Sequence, residues 1–187
     1  MAEFYLETER LIIRNWRDED RELFHLINSD DQVMEFFPFR RDRAASDKMM
    51  DDLRAGIAED GFGFTALELK DTGEVAGFCG LAKVSDQKNF EEFEIEIGWR
   101  LAPRFWARGF ATESAKRLLE FGFREFDFPE IVSFAVENNF KSVAVMERIG
   151  MTRDPLRDFD HEHVPDTHPH LKRHVTYAIE NPKKRGH

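Results

Sequence analysis

The residues with the clearest chemical potential form a loop between a predicted strand that ends at Leu101 and a predicted helix that opens at Thr112. Gly109 and Ala111 carry little or no side chain, so an anion could approach the loop backbone closely. Free backbone N–H groups and the positive end of the helix dipole would face that anion, and Arg108 would add charge beside it. The loop therefore predicts a phosphate-binding site, and the alternative is an ordinary strand-to-helix connection.

Two carboxylates precede this loop. The segment from Phe93 to Trp99 alternates strictly, with apolar side chains on one face of a strand and Glu94 and Glu96 on the other. Carboxylates in such a position can take a proton from a bound group. They can equally line a solvated sheet face or pair with arginines, and the sequence leaves both interpretations open.

A third segment, from Asp158 to His170, is rich in histidine and aspartate. These residue types at these spacings could bind zinc or nickel. A metal site needs ligands that converge, however, and this segment reads as a loop interrupted by prolines, without a rigid frame. We therefore expect a surface loop or a loop beside the substrate, and no metal site.

The elements that must position these residues follow from periodicity. Alternating or continuous apolar runs predict strands, and apolar residues three or four apart predict helices. The predicted strands are 11–14, 64–69, 75–81, 93–101, 131–136 and 174–179, and the predicted helices begin near 18, 46, 112 and 142. The order is strands first and then strand–helix–strand–helix–strand, which indicates an α/β or α+β sheet covered by helices.

Length and composition restrict the class of protein. The 187 residues, of which 41% are hydrophobic and 34% charged, favour one globular domain over 1–187. The single cysteine, Cys79, excludes an internal disulfide and indicates a reducing compartment. The sequence has no apolar run of about 18 residues to span a membrane, and its first residues lack the order of a signal peptide. We therefore expect a cytoplasmic protein.

The charge balance restricts the partners. The sequence has 27 basic and 37 acidic residues and a formal net charge of −10. This field would repel nucleic acid, whose binding depends on neutralising phosphates with lysine and arginine. It would attract a cation such as an amine or a basic protein, although solubility alone also explains it. We expect no nucleic-acid partner.

Several short motifs occur together in one order and spacing. The loop reads Trp106-Ala107-Arg108-Gly109-Phe110-Ala111, and the other motifs are Leu6 to Leu11, Glu96 to Trp99, Ala111 to Ala115, Asn139 to Ser142 and Met146 to Met151. In this arrangement the sequence resembles the GNAT acetyltransferase superfamily, and within it the RimJ/RimL-like branch. The superfamily loop motif is Gln/Arg-x-x-Gly-x-Gly/Ala, and Trp106 departs from its first position.

The resemblance implies a mixed, mostly antiparallel sheet with helices on both faces. A splayed pair of strands, one ending at Leu101 and one containing Phe134, would form the acetyl-CoA groove. The loop from Trp106 to Thr112 would cradle the pyrophosphate, and the strand edge from Trp99 to Leu101 would pair with the pantetheine amides. Asn139 would bind the pantetheine arm, cap the helix beside it, or do both. The implied acetyl-CoA contacts are Trp99, Arg100, Leu101, Trp106, Ala107, Arg108, Gly109, Phe110, Ala111, Thr112, Asn139 and Ser142.

The resemblance further implies transfer of an acetyl group from acetyl-CoA to a primary amine, without a metal. Glu96 is the implied base, acting directly or through water, and the amide of Leu101 is the implied oxyanion donor. Many members use a tyrosine seven residues after the motif asparagine as general acid, but Met146 occupies that position here. Ser142 is the nearest alternative donor to the departing thiolate.

The sequence leaves the acceptor open. The RimJ/RimL resemblance implies the α-amine of a protein N-terminus, with ribosomal proteins as the known targets of that branch. A small amine, such as a polyamine, an aminoglycoside or an amino acid, is the alternative within the same activity. A non-catalytic acyl-CoA-binding module is the alternative from another class, because the tyrosine is missing. We expect a monomer or a homodimer.

Overall fold

The computed structural model describes residues 4–84, 90 and 94–184. The nine strands found there are β1 (Tyr5–Glu7), β2 (Leu11–Arg14), β3 (Phe64–Leu69), β4 (Val75–Lys83), β5 (Ile95–Leu101), β6 (Glu130–Val136), β7 (Thr152–Arg153), β8 (Phe159–Asp160) and β9 (Arg173–Glu180). The α-helices are α1 (Arg21–Ser29), α2 (Arg43–Asp60), α3 (Phe110–Glu125) and α4 (Phe140–Arg148). None of the described helices is long and apolar enough to cross a bilayer.

All of these strands belong to one sheet, in the order β1-β2-β3-β4-β5-β6-β9-β7, and β8 also pairs with β9. Neighbouring strands in this order are antiparallel except β5 and β6, which are parallel. The prediction of a mixed, mostly antiparallel sheet is therefore confirmed. The parallel pair lies in the middle of the sheet, so two largely antiparallel halves meet there.

The two central strands diverge along their length. They are in register at one pair, Glu96 with Val132, and the Ser133 hydroxyl donates to the Ile97 carbonyl at 2.9 Å just beyond it. β5 continues to Leu101 and β6 to Val136 without further pairing between them. The described strands therefore form a cleft between the ends of β5 and β6, as expected for the splayed pair.

Helices cover both faces of the sheet. On one face, Phe24 of α1 lies against Phe78 of β4, with ring centroids 6.2 Å apart, and α2 packs on α1 and β3. On the other face, Leu81 of β4 lies beneath Gly122 of α3, where even a Cβ would come within 2.8 Å of the leucine side chain. α4 packs on α3 and β6 on that same face. Side chains alternate along β5 as well, so each of its residues belongs to one of these two faces.

Two helices begin two residues before their predicted starts. Gly109 takes a left-handed conformation (φ 82°) that turns the chain into α3, and the buried Phe110 fixes the first turn against the core. α4 begins at Phe140 because the Asn139 side chain caps it, accepting from the Ser142 amide at 3.2 Å. The predicted start of β5 at Phe93 lies outside the described residues.

Candidate active site

Every second residue of β5 directs its backbone N–H and C=O groups toward the cleft. The Ala102 amide donates to the Ala76 carbonyl of β4 at 2.9 Å, so the neighbouring Leu101–Gly77 pair is one that exchanges no hydrogen bonds. The backbone groups of Leu101, and of Trp99 two residues earlier, therefore point away from β4 and toward the side of β6. Those of Arg100 face β4.

The loop after β5 has the shape of an anion cradle. Ala107 (φ 57°) and Gly109 (φ 82°) both have left-handed backbone conformations, which bend the loop sharply around exposed residues. The first bond within α3 runs from the Glu113 amide to the Gly109 carbonyl at 2.9 Å. The amides of residues 110–112 therefore have no partner inside the helix and face outward at its positive end. The pyrophosphate of acetyl-CoA fits this arrangement, which combines small side chains with unpaired donors.

Hydrogen bonds from the turn between β1 and β2 hold this cradle in place. Glu113 accepts from the Thr8 hydroxyl at 2.5 Å, the Arg10 amide at 2.9 Å and the Arg10 Nε at 2.7 Å. A further guanidinium nitrogen of Arg10 donates to the Arg108 carbonyl at 2.9 Å. These hydrogen bonds and the Arg10 guanidinium lower the pKa of Glu113 despite its partial burial. The N-terminus of α3 is thus connected to the turn between β1 and β2.

Glu96 and Glu94 have different surroundings. Burial raises the pKa of Glu96 to about 7, where a carboxylate can take and release a proton at neutral pH. Glu94 forms an ion pair with Arg157 at 3.1 Å, and Arg157 also binds Glu130 at 2.6 Å and Asp154 at 2.7 Å. Glu96 is therefore the carboxylate with the properties of a base, and Glu94 belongs to an ionic network.

α4 brings Asn139 and Ser142 to the side of β6. The Asn139 carbonyl oxygen caps the helix, and its amide nitrogen makes no hydrogen bond within the described chain. Ser142 lies half-buried in the first turn of α4. Met146 is only 1% exposed and packs in the core, so its position offers no proton donor. The Lys141 ammonium lies 4.3 Å from the Trp106 ring centroid and links α4 to the loop.

The face of β5 that carries Glu96 also carries Arg100, whose surroundings the sequence reasoning missed. The Arg100 guanidinium donates to the Asn28 side chain at 2.5 Å and stacks on Phe37, 4.4 Å from its centroid. Arg41 lies nearby, with its backbone amide bonded to the Asn28 carbonyl at 2.9 Å. Burial and the Arg41 charge lower the pKa of Arg100 to about 10. The signal was the Phe36-Phe37-Pro38-Phe39-Arg40-Arg41 run, whose aromatic and basic residues follow a short helix.

The histidine-rich segment forms an aromatic cluster beside β9. His174 stacks on Phe159 with centroids 5.3 Å apart, and His161 lies 5.1 Å from His174. Burial lowers the pKa of His174 to about 4. In residues 4–84, 90 and 94–184, no group of three or more histidine, cysteine, aspartate or glutamate residues is placed to hold a metal ion. Phe134 of β6 contacts this cluster, 5.3 Å from Phe159, and lies where the cleft opens.

Comparison with known proteins identifies the family. The family model of the acetyltransferase (GNAT) domain matches residues 10–152, and the chain belongs to this family. It is therefore an acetyl-CoA-dependent N-acetyltransferase, a class that uses acetyl-CoA as acetyl donor.

Two relatives and one solved structure show the extent of the similarity. The chain is 30% identical to YkkB of Bacillus subtilis, over 80% of this chain and 86% of the relative. It is 29% identical to the N-acetyltransferase YnaD of the same organism, over 80% of this chain and 84% of the relative. A GNAT-family acetyltransferase structure from Bacillus anthracis superposes with a TM-score of 0.78 at 25% identity, covering 95% of this chain and 98% of the other.

Proposed function

We propose that this protein transfers the acetyl group of acetyl-CoA to a primary amine by direct attack in the cleft between β5 and β6. The observation that carries the proposal is the divergence of these two strands beyond the Glu96–Val132 pair. The anion cradle lies at one end of the opening, and a carboxylate with a pKa of about 7 lies at the other. Such a cleft can hold a long thioester between a phosphate anchor and a base.

Acetyl-CoA would bind along the cleft with its phosphates at the α3 end. The amides of residues 107–112 and the Arg108 side chain would hold the pyrophosphate. The backbone groups of Trp99 would pair with the pantetheine amides as an added strand does, and the Leu101 amide on the same edge would face the thioester. The amide nitrogen of Asn139 would donate to the same arm from the other wall. Of the three strand-edge residues, Arg100 supports this contact least, because its backbone faces β4.

The amine would attack the thioester carbonyl carbon. An ammonium first loses one proton to Glu96, directly or through a water, and the neutral nitrogen then forms the C–N bond. The carbonyl oxygen takes up negative charge, which the Leu101 amide stabilises as a hydrogen-bond donor. The C–S bond breaks, the nitrogen loses its second proton, and the CoA thiolate gains a proton. The products are one amide, one CoA thiol and one released proton.

Two groups remain as donors for the departing thiolate. Ser142 is half-buried at the start of α4, on the side of the cleft where the sulfur would lie. Water is the other source, since a thiolate with a pKa of about 8.5 needs little help near neutral pH. Met146 supplies no proton, so any general acid differs from the tyrosine of many family members.

The experiment that tests the activity measures release of CoA thiol with acetyl-CoA and a panel of amines. The panel contains peptides with free N-termini, the acceptor that the RimJ/RimL resemblance implies, and polyamines, aminoglycosides and amino acids. Mass spectrometry of the acceptor must show a gain of one acetyl group for each CoA released. Tight acetyl-CoA binding without acetyl transfer to any amine between pH 6 and 9 would instead support a non-catalytic acyl-CoA-binding module.

A further inference from the structure

Two arginines lie on the acceptor side of the cleft without a carboxylate partner among residues 4–84, 90 and 94–184. Within the part of the chain that the structure describes, the Arg100 side chain makes one hydrogen bond, to the neutral Asn28 amide oxygen. Its guanidinium lies between Phe37 and Phe78, 4.4 and 5.2 Å from their centroids. Asn28 is fully buried and uses its amide nitrogen to bind the Phe24 carbonyl at 2.7 Å. This environment positions the Arg100 cation, and no carboxylate among the described residues neutralises its charge.

Arg41 is the more unusual of the two. Its guanidinium lies over the Phe39 ring, 4.7 Å from the centroid, and its Nε is buried without a hydrogen-bond partner among the described residues. A buried N–H group normally has a partner, because burying a donor without one loses its hydrogen bonds to water. By contrast, Arg43, two residues later, is paired with both Glu22 and Asp47. Arg41 is thus a cation with unused donors in a protein that carries many acidic groups.

The two charges act on one another. Burial lowers the pKa of Arg100, and Arg41 lies close enough to lower it further. Two cations held together in a partly buried position repel unless an anion lies between them. The planar fork of an arginine binds carboxylate or phosphate oxygens through two parallel hydrogen bonds.

The arginine pair lies on the face from which the amine must attack. Arg100 is four residues after Glu96 on the same strand and the same face, about 13 Å along the strand between their α-carbons. The anion cradle lies at the N-terminus of α3, on the opposite face of the sheet. An acetyl group that passes through the cleft between these faces would therefore meet an acceptor on the face that carries Glu96 and Arg100.

We propose that Arg41 and Arg100 together bind an oxyanion of the acceptor, a carboxylate or a phosphate, so that the substrate is an amine that also carries a negative charge. This inference rests on the proposed acetyl transfer and adds the class of acceptor. It reverses the expectation that a net charge of −10 favours cationic acceptors, because Arg41 and Arg100 place two neighbouring positive charges beside the acceptor. Polyamines and aminoglycosides would bring only positive charge to two arginines.

Matched pairs of acceptors test the proposal. Each pair differs only in the anionic group: an α-amino acid against its carboxamide, and phosphoethanolamine against ethanolamine. The two pairs also distinguish a carboxylate from a phosphate. We expect the wild-type enzyme to prefer the anionic member in kcat/KM by about 10- to 100-fold, as for a hydrogen-bonded charge.

Arg41→Gln should reduce this ratio of kcat/KM values by a similar factor, and Arg41→Lys should restore part of it. Arg124→Gln, which changes an exposed arginine whose ion pair is with its neighbour Glu125, should leave the ratio unchanged.

A binding measurement separates this proposal from the proposed function. Calorimetry follows inorganic phosphate and acetate as they bind to protein saturated with CoA, which occupies the phosphate cradle. Binding that is lost in Arg41→Gln and retained in Arg124→Gln supports the oxyanion site even if no amine is acetylated. Acetyl transfer without preference for the anionic member, or faster transfer to spermidine or to a neutral N-terminal peptide, overturns the oxyanion site and leaves acetyl transfer intact. Unchanged anion binding in a folded Arg41→Gln protein also overturns it.

Discussion

The indole N–H of Trp106 donates to the backbone carbonyl of Leu101 at 2.7 Å, which joins the start of the anion cradle to the end of β5. The Leu101 carbonyl points toward the cleft, as the register with β4 requires, and the indole satisfies it there. The Leu101 amide on the same side remains available to a substrate. The aromatic residue at the first position of the loop motif thus fixes the distance between the phosphate anchor and the proposed oxyanion donor.

The substitution Trp106→Phe keeps an aromatic side chain at this position and removes the hydrogen bond to the Leu101 carbonyl. We expect acetyl-CoA affinity to fall by about 3- to 10-fold, because a bond worth about 1 kcal/mol no longer sets the cradle against β5. Trp16→Phe is a matched control, since the Trp16 indole donates to the Phe64 carbonyl at the same distance of 2.7 Å, away from the loop. Calorimetry should show weaker binding in the first variant alone. Equal affinities in both variants would mean that Trp106 has only a structural role.

The cradle itself is tested at Gly109. A valine there would block close approach of a phosphate and would strain the left-handed backbone. We expect at least a 10-fold loss of acetyl-CoA affinity from Gly109→Val, measured by calorimetry, with a loss of about 1–2 kcal/mol in the free energy of unfolding. Gly73→Val is the control, because Gly73 also has a left-handed backbone conformation (φ 73°) and a valine there has the same backbone cost. Gly73 lies in the turn after β3, where a Cβ would have no neighbour within 4 Å. If both variants lose the same stability and bind acetyl-CoA equally, the cradle lies elsewhere.

Much of this arrangement follows from local sequence patterns. The alternation through β5 places Glu96 and Arg100 on one face, and the Gly109 loop marks a strand-to-helix turn that suits an anion. The role of Arg157 does not follow, because its partners lie 63 residues earlier in the chain, at Glu94, and 27 residues earlier, at Glu130.

The position of Arg41 does not follow from local sequence patterns either. It depends on how the segment after α1 returns to Asn28 and β5, a contact between residues far apart along the chain. A run of aromatic and basic residues indicates a binding surface, but only the fold shows what it faces. For two residues the structural alternative that the sequence left open is observed: the Asn139 side chain caps α4, and Glu94 pairs with Arg157.

Removal of metals should leave the activity unchanged. Acyl transfer from a thioester needs no Lewis acid when a backbone amide stabilises the oxyanion. We expect the same rate of CoA release after exhaustive treatment with EDTA, assayed in chelator-treated buffer. The rate of the His161→Ala variant should likewise equal that of the wild type, with or without added zinc. Activity that disappears with EDTA and returns with zinc would assign a metal role to the histidine-rich segment.

Glu96→Gln should lower turnover by about 10²- to 10⁴-fold, the contribution of a positioned base. The acetyl-CoA affinity should change little, because this carboxylate faces the acceptor. Glu94→Gln is the comparison, and it should cost less since Glu94 belongs to the Arg157 network. The wild-type rate should rise with pH through about 7, where Glu96 loses its proton, whereas the variant should rise only at higher pH with the free amine. Near-normal turnover in Glu96→Gln would mean that solvent or another group is the base.

The same carboxylate should make the protein less stable as the pH rises. Glu96 titrates at about 7 in the folded chain against an ordinary value of 4.5, so the folded state binds more protons than the unfolded state between these values. Stability therefore falls as the pH rises from about 4.5 to about 7, since an ionised carboxylate is desolvated by folding. Glutamine cannot ionise, so Glu96→Gln should exceed the wild type by about 1–3 kcal/mol in unfolding free energy at pH 8 and match it at pH 4. Urea unfolding at both pH values measures this difference, with Glu94→Gln as the control that gains nothing at pH 8, because its carboxylate is already paired. A difference that does not depend on pH would show that Glu96 is ionised and solvated in the folded protein, which would remove the basis for its role as a base poised near neutrality.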